Sequence, residues 1–66
     1  MIQSILFDRD YWTIPKAIHW LYHHGHVVRK VDTTERFFRF RQATPKTGLR
    51  YITKKIPGHI ELIIMY

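Results

Sequence analysis

Residues 36–41 read Arg-Phe-Phe-Arg-Phe-Arg, an interleaving of guanidinium groups with phenyl rings. Successive side chains of an extended strand point to opposite faces, so Phe37, Arg39 and Arg41 fall on one face and Phe38 and Phe40 on the other. A sheet face holding Arg and Phe together offers nucleic acid two kinds of contact. Cations neutralise phosphates and release counterions, which gives affinity without sequence preference. An exposed ring stacks on an unpaired base. Arg50, Lys54 and the loop residue Lys46 extend such a face. The expected nucleic-acid-binding residues are Arg36, Arg39, Arg41, Arg50, Lys54 and Lys55. The same alternation also describes the solvated face of an ordinary antiparallel sheet, and the glycine-containing signature of an RNA-recognition motif is missing.

Five histidines are the next chemically active group. His19 and His23 stand four residues apart, a workable ligand spacing on a helix, but no Glu follows the first of them as in the zincin motif. No third ligand is placed by spacing and Lys16 falls nearby, so no metal and no cofactor is expected. Histidines that add positive charge in mild acid are the plainer reading. Catalysis has little material. Ser4 is the one serine, cysteine is absent, and the five carboxylates are scattered. Asp8 and Asp10 read as turn chemistry. The three glycines are isolated, so no phosphate-cradling loop forms, and no nucleophile–base–orienter set exists. The expectation is a protein that is not an enzyme.

Charge placement agrees with a binding role. The net charge is +6. Residues 1–28 balance Arg9 and Lys16 against Asp8 and Asp10. Residues 29–55 carry nine basic side chains (Arg29, Lys30, Arg36, Arg39, Arg41, Lys46, Arg50, Lys54, Lys55) against Asp32 and Glu35, and the remainder carries only Glu61. Such polarity points to a polyanionic partner.

These side chains must be positioned by a single compact α+β domain spanning residues 1–66, since the chain has room for one core. A hydrophobic content of 45% is too high for a disordered tail. The longest apolar run, Ile60 to Tyr66, is broken by Glu61 and falls far short of the roughly 20 residues that span a bilayer. Met1 to Phe7 lacks a charged segment and a long apolar core, so it does not read as a signal peptide. A soluble, intracellular protein with no membrane partner is expected.

Gln3 to Phe7 reads as a strand and Asp8-Arg9-Asp10 as a turn. Thr13 as N-cap, Pro15 in the first turn and Gly25 just beyond the end bracket a helix. Its apolar stripe is Ile14, Ala17, Ile18, Leu21 and Tyr22. Period-two patterning then predicts strands over Val27–Val31, Arg36–Gln42, Leu49–Ile56 and His59–Tyr66. Asp32-Thr33-Thr34 reads as a turn, Ala43–Gly48 as a loop, and Pro57-Gly58 as a tight hairpin turn. The order is β-α-β-β-β-β, one helix on one face of a mostly antiparallel sheet. The helix stripe with Phe38, Phe40, Ile60, Leu62 and Ile64 forms the expected core. Trp20 lies off the stripe, and Ile63 and Met65 point away from that core. With no disulfide to staple so small a domain, these three are the expected interface of a homodimer.

A set of short motifs runs through the chain in order: Phe7-Asp8, Trp12-Thr13, Ala17, Trp20-Leu21, His24-Gly25, Val31-Asp32, Arg39-Phe40-Arg41-Gln42 and Gly58-His59-Ile60-Glu61-Leu62. It resembles a short domain of tailed phages and large DNA viruses, over about residues 5 to 64. A stand-alone copy is similar to the small virion proteins of the marseillevirus group of giant viruses. The stretch Ala43–Arg50 is short for that pattern, and the basic pair before the last turn is Lys54-Lys55-Ile56. The resemblance implies a compact dimer packaged in the particle, with DNA binding and no enzyme activity. It carries over no binding residues, and Phe7, Trp12, Ala17, Leu21 and Ile60 are explained as core.

The leading expectation is a small basic viral protein that binds double-stranded DNA largely through phosphate contacts. Its expected location is the virion and, in the host, the cytoplasm, viral factory or nucleus. The alternative is a virion structural or interaction module whose basic face meets an acidic capsid or host protein.

Overall fold

The computed structural model describes all 66 residues. Strand β1 (Ile2–Asp8), helix α1 (Ile14–His23), β2 (Val31–Thr33), β3 (Phe37–Arg41), β4 (Tyr51–Ile56) and β5 (Ile60–Met65) follow in that order. The five strands form one sheet in the spatial order β2-β3-β1-β5-β4, and every pairing is antiparallel. One helix covers one face, as the α+β reading requires.

The most completely buried strand takes the centre. β1 is paired on both sides, and Ser4, Ile5 and Phe7 have no exposed surface. Ile5 and Phe7 point toward the helix and meet Ala17, Leu21, Phe40 and Ile60 in the core. Phe7 is the hub. Trp12, Trp20 and Phe40 approach its ring edge-on, with centroids 4.9, 5.6 and 5.7 Å away, a favoured aromatic geometry. Tyr22, expected in the helix stripe, is instead 75% exposed. Only Ala17 and Leu21 of that stripe are fully buried. Ile14, Ile18 and Trp20 flank those two, partly buried against the core, so the contact face turns toward Trp20 and leaves Tyr22 beyond its rim. Ile64 is half-buried and lies outside the core cluster.

The caps explain where the helix begins and ends. The hydroxyl of Thr13 accepts from the Lys16 amide at 3.4 Å. At the other end the His26 amide donates to the Leu21 carbonyl (2.9 Å) and the Gly25 amide to that of Tyr22 (3.2 Å). Gly25 sits at φ +71° between them. This is a Schellman closure, and glycine takes its left-handed position without steric cost.

The segment after the helix departs from expectation. The strand predicted at Val27–Val31 forms only from Val31, and the predicted turn residues Asp32 and Thr33 belong to that strand. Val27 and Val28 are exposed and pair with no strand. The Gln42 side chain replaces a strand partner: it accepts from the Val27 amide and donates to the Val27 carbonyl, each at 2.8 Å. The turn moves to residues 34–36. There the Thr34 hydroxyl accepts from the Phe37 amide (3.0 Å), and Arg9 donates to the Thr34 carbonyl (2.8 Å). β4 begins at Tyr51, two residues later than predicted.

A register shift between Ile2 and Ser4 in the β1–β5 pairing leaves the Gln3 carbonyl free to turn outward. It accepts from the Gln42 and Ala43 amides at 2.7 and 3.2 Å. The buried Gln3 side chain donates to the Ala43 carbonyl at 3.0 Å. The irregular connection from β3 to the far edge strand β4 is thereby fastened beneath the end of β1.

Candidate nucleic-acid interface

Cross-strand register assigns each charged side chain to a face. Arg39 lies opposite Leu6 and Asp32, Arg41 opposite Ser4, and Lys55 opposite Glu61, all on the face the helix leaves open. Phe37 shares that face, half-buried, with the Arg36 guanidinium 5.5 Å from its ring centroid. Lys54 is paired with Leu62 and therefore lies on the helix side of β4. Arg36 precedes β3 at the end of the sheet where Asp8 lies. Arg50 precedes β4 at the opposite end, its main chain exchanging two hydrogen bonds with Tyr66 (2.8 and 2.9 Å).

The six residues expected to form one basic surface are therefore divided among both faces and both ends. Adjacent residues of a strand cannot share a face, which separates Lys54 from Lys55. The open face is also not uniformly basic. Asp32 lies beside Arg39 and Glu61 beside Lys55, so its central row is balanced.

Arg39 has a structural task as well. Its Nε donates to the Ser4 hydroxyl (3.3 Å), which donates to Gln3 Oε1 (2.6 Å). The relay continues through Gln3 Nε2 to the Ala43 carbonyl. It satisfies two buried polar side chains beneath the guanidinium, which buried groups require, and no buried side-chain N or O lacks a partner.

Charge is segregated along the strands. Toward the end of the sheet where Ile2 and Arg41 lie are Arg29, Lys30, Arg41, Lys46 and Arg50. Asp8, Asp10, Glu35 and Glu61 lie toward the other end, where Arg9, Lys16, Arg36 and Lys55 balance them. Arg29, Lys30 and Arg41 line an open cleft of about 350 Å³ with Asp32 as the one carboxylate. Lys30 precedes the β2 residue paired with Phe40, which sets it beside Arg41 across the strands. Lys46 is held near β4, where Tyr51 Oη donates to its carbonyl (2.9 Å) and accepts from its amide (3.0 Å). Arg29 and Lys30 were missed as site residues because a strand was expected there. The signal available was a basic pair a few residues beyond a helix-terminating glycine.

The three expected dimer residues also separate. Trp20 is half-buried within the protomer. Its ring lies edge-on to Phe7 and is stacked by His24 (3.9 Å) and His26 (5.7 Å), so it closes the edge of the core. Met65 is 1% exposed and unavailable to a partner in this fold. Ile63 remains half-exposed on the open face, paired with Ser4 and Thr53. His19 and His23 are adjacent on the helix, ring centroids 4.2 Å apart, and no cluster of three or more His, Cys, Asp or Glu surrounds them. No helix is long and apolar enough to cross a membrane. No family model matches the chain, nor does any curated protein or solved structure.

Proposed function

We propose that this protein binds double-stranded DNA through phosphate contacts made by the cationic end of its sheet. The observation that carries the reading is the segregation of charge. Arg29, Lys30, Arg41, Lys46 and Arg50 occupy one end, with Asp32 the single carboxylate at its margin. Five strands at about 4.8 Å spacing make that end roughly 19 Å wide, a span over which a duplex presents many phosphates. None of these five cations is committed to a buried network, unlike Arg39. Contacts of this type position a protein on the duplex without reading bases, so weak sequence preference and steep salt dependence are expected. The resemblance to small virion proteins agrees with packaging beside a genome.

The test is a titration of a fluorescent 20-base-pair duplex at about 50 and about 200 mM salt, between which phosphate-dominated binding falls sharply. Salt-sensitive binding lost on changing Lys30 and Arg41 to Ala supports the assignment. No binding at the lower salt would sink it and leave an acidic capsid or host protein as the partner of the basic end.

A further inference from the structure

We infer that the open face of the sheet is the interface of a homodimer whose two-fold axis runs parallel to β1. The argument starts from the central cross-strand row. Register places Asp32, Arg39, Leu6, Glu61 and Lys55 side by side on five successive strands. Their charges read minus, plus, neutral, minus, plus, with Leu6 at the midpoint on the central strand.

That order is its own complement. A second copy laid face to face about an axis along β1 presents the row reversed. Asp32 then meets the second copy's Lys55, Arg39 meets its Glu61, and Leu6 meets Leu6. Each contact is repeated by the two-fold, as an isologous interface requires. An axis perpendicular to the strands would instead set Asp32 on Asp32 and Lys55 on Lys55, and like charges in contact are costly. In the next row Ser4 has no exposed surface and Arg41 belongs to the cationic end, so the contact is centred on the row from Asp32 to Lys55. The same axis brings Asp8 toward the second copy's Asp8 at the end of β1, where each carboxylate is turned away onto its own Asp10 amide (2.9 Å).

Two further observations favour this occupant. Leu6, Ile63 and Phe37 are apolar and half-exposed on the same face. Only nine of the 66 residues are buried in the protomer, a small core for a chain without a disulfide. Because the axis follows the strands, both cationic ends come to the same end of the dimer. The inference does not rest on DNA binding, and its test contains no DNA.

The test exchanges charges in pairs. Asp32→Lys with Arg39→Glu reverses one half of the row, and Lys55→Glu with Glu61→Lys reverses the other. Either double variant keeps an opposite-charge pair between neighbouring strands within the chain but opposes like charges across the interface. Mixed together, the two variants are complementary at all four positions. Mass by light scattering is read over a dilution series up to about 1 mM, where even a dimer of millimolar Kd is substantially formed. The expected result is a dimeric wild type, two monomeric variants and a mixture that recovers the doubled mass. A wild type that stays monomeric throughout, folded variants that each still dimerise, or a mixture that stays monomeric would overturn the inference. Should a variant fail to fold, amide NMR of the wild type on dilution decides. Shifts centred on Asp32, Arg39, Leu6, Glu61 and Lys55 support the face, and shifts confined to α1 refute it.

Discussion

Changing Lys30 and Arg41 together to Ala tests the cationic end most directly. Both side chains are exposed, both line the cleft with Arg29, and neither is held by a buried partner. If Arg29, Lys30, Arg41, Lys46 and Arg50 each neutralise one phosphate, log K falls against log salt with a slope of about −4.5 per protomer. A fourfold rise in salt then costs about 500-fold in affinity. Removing two contacts lowers the slope to about −2.7 and the loss to about 40-fold. The ratio of slopes, three-fifths, is the same whether one protomer or two contact each duplex. Fluorescence anisotropy on a short duplex, at four or five salt concentrations, measures it. Lys16→Ala with Arg36→Ala, which removes two cations from the opposite end, is expected to leave the slope at its wild-type value. An unchanged slope in the first variant, or an equal decrease in the second, would show that phosphates are not held at this end.

Other outcomes follow from packing and main-chain geometry. Phe40→Ala removes a fully buried ring that meets Phe7 and Ile5, at a cost of about 3–5 kcal/mol. That is comparable with the whole stability of so short a domain, roughly 3–10 kcal/mol, so circular dichroism should report a largely unfolded chain. Gly58→Ala meets no close atom, the nearest being Ile60 Cδ1 at 3.8 Å, yet it forces a Cβ onto φ +94°. A loss of about 1 kcal/mol or more is expected in denaturant titration; no loss would mean that the hairpin turn relaxes freely. Ser4→Ala leaves the buried Gln3 Oε1 without its donor and should destabilise by about 1–3 kcal/mol, measured in the same way. Gln42→Ala deletes both bonds to Val27 and should raise amide hydrogen exchange at Val27 with little change in strands β1 and β5.

What the sequence revealed depended on how local the determining forces were. Thr13, Pro15 and Gly25 bound α1 through interactions within a turn, so its limits were readable to within a residue. The β4–β5 hairpin was legible for the same reason. Val27 and Val28 misled because β-branched residues favour strands only where a partner exists, and here a glutamine fifteen residues away supplies the bonds. Strand order is non-local, and on it depends which cations are neighbours. Placing Arg39 beside Asp32, and Lys30 beside Arg41, needed the pairing of β2 with β3. The charge balance of the open face was hidden until β1 was known to lie between β3 and β5. Trp20 stood out as surplus because the stripe was drawn for an ideal flat contact, whereas the ring reaches over the helix edge to Phe7.

The central place of β1 also governs how the molecule must be made. Ile2 pairs with Ile64, so β1 must wait for β5. Until β5 exists, β1 presents an open hydrogen-bonding edge with Ile5 and Phe7 uncovered, the kind of edge that recruits strands from other chains. Contacts this distant along the chain slow the search for the native state. A nascent chain therefore gains nothing by ordering β1 early. The sheet closes only once β5 is available, and losing residues from either of these strands opens the same seam.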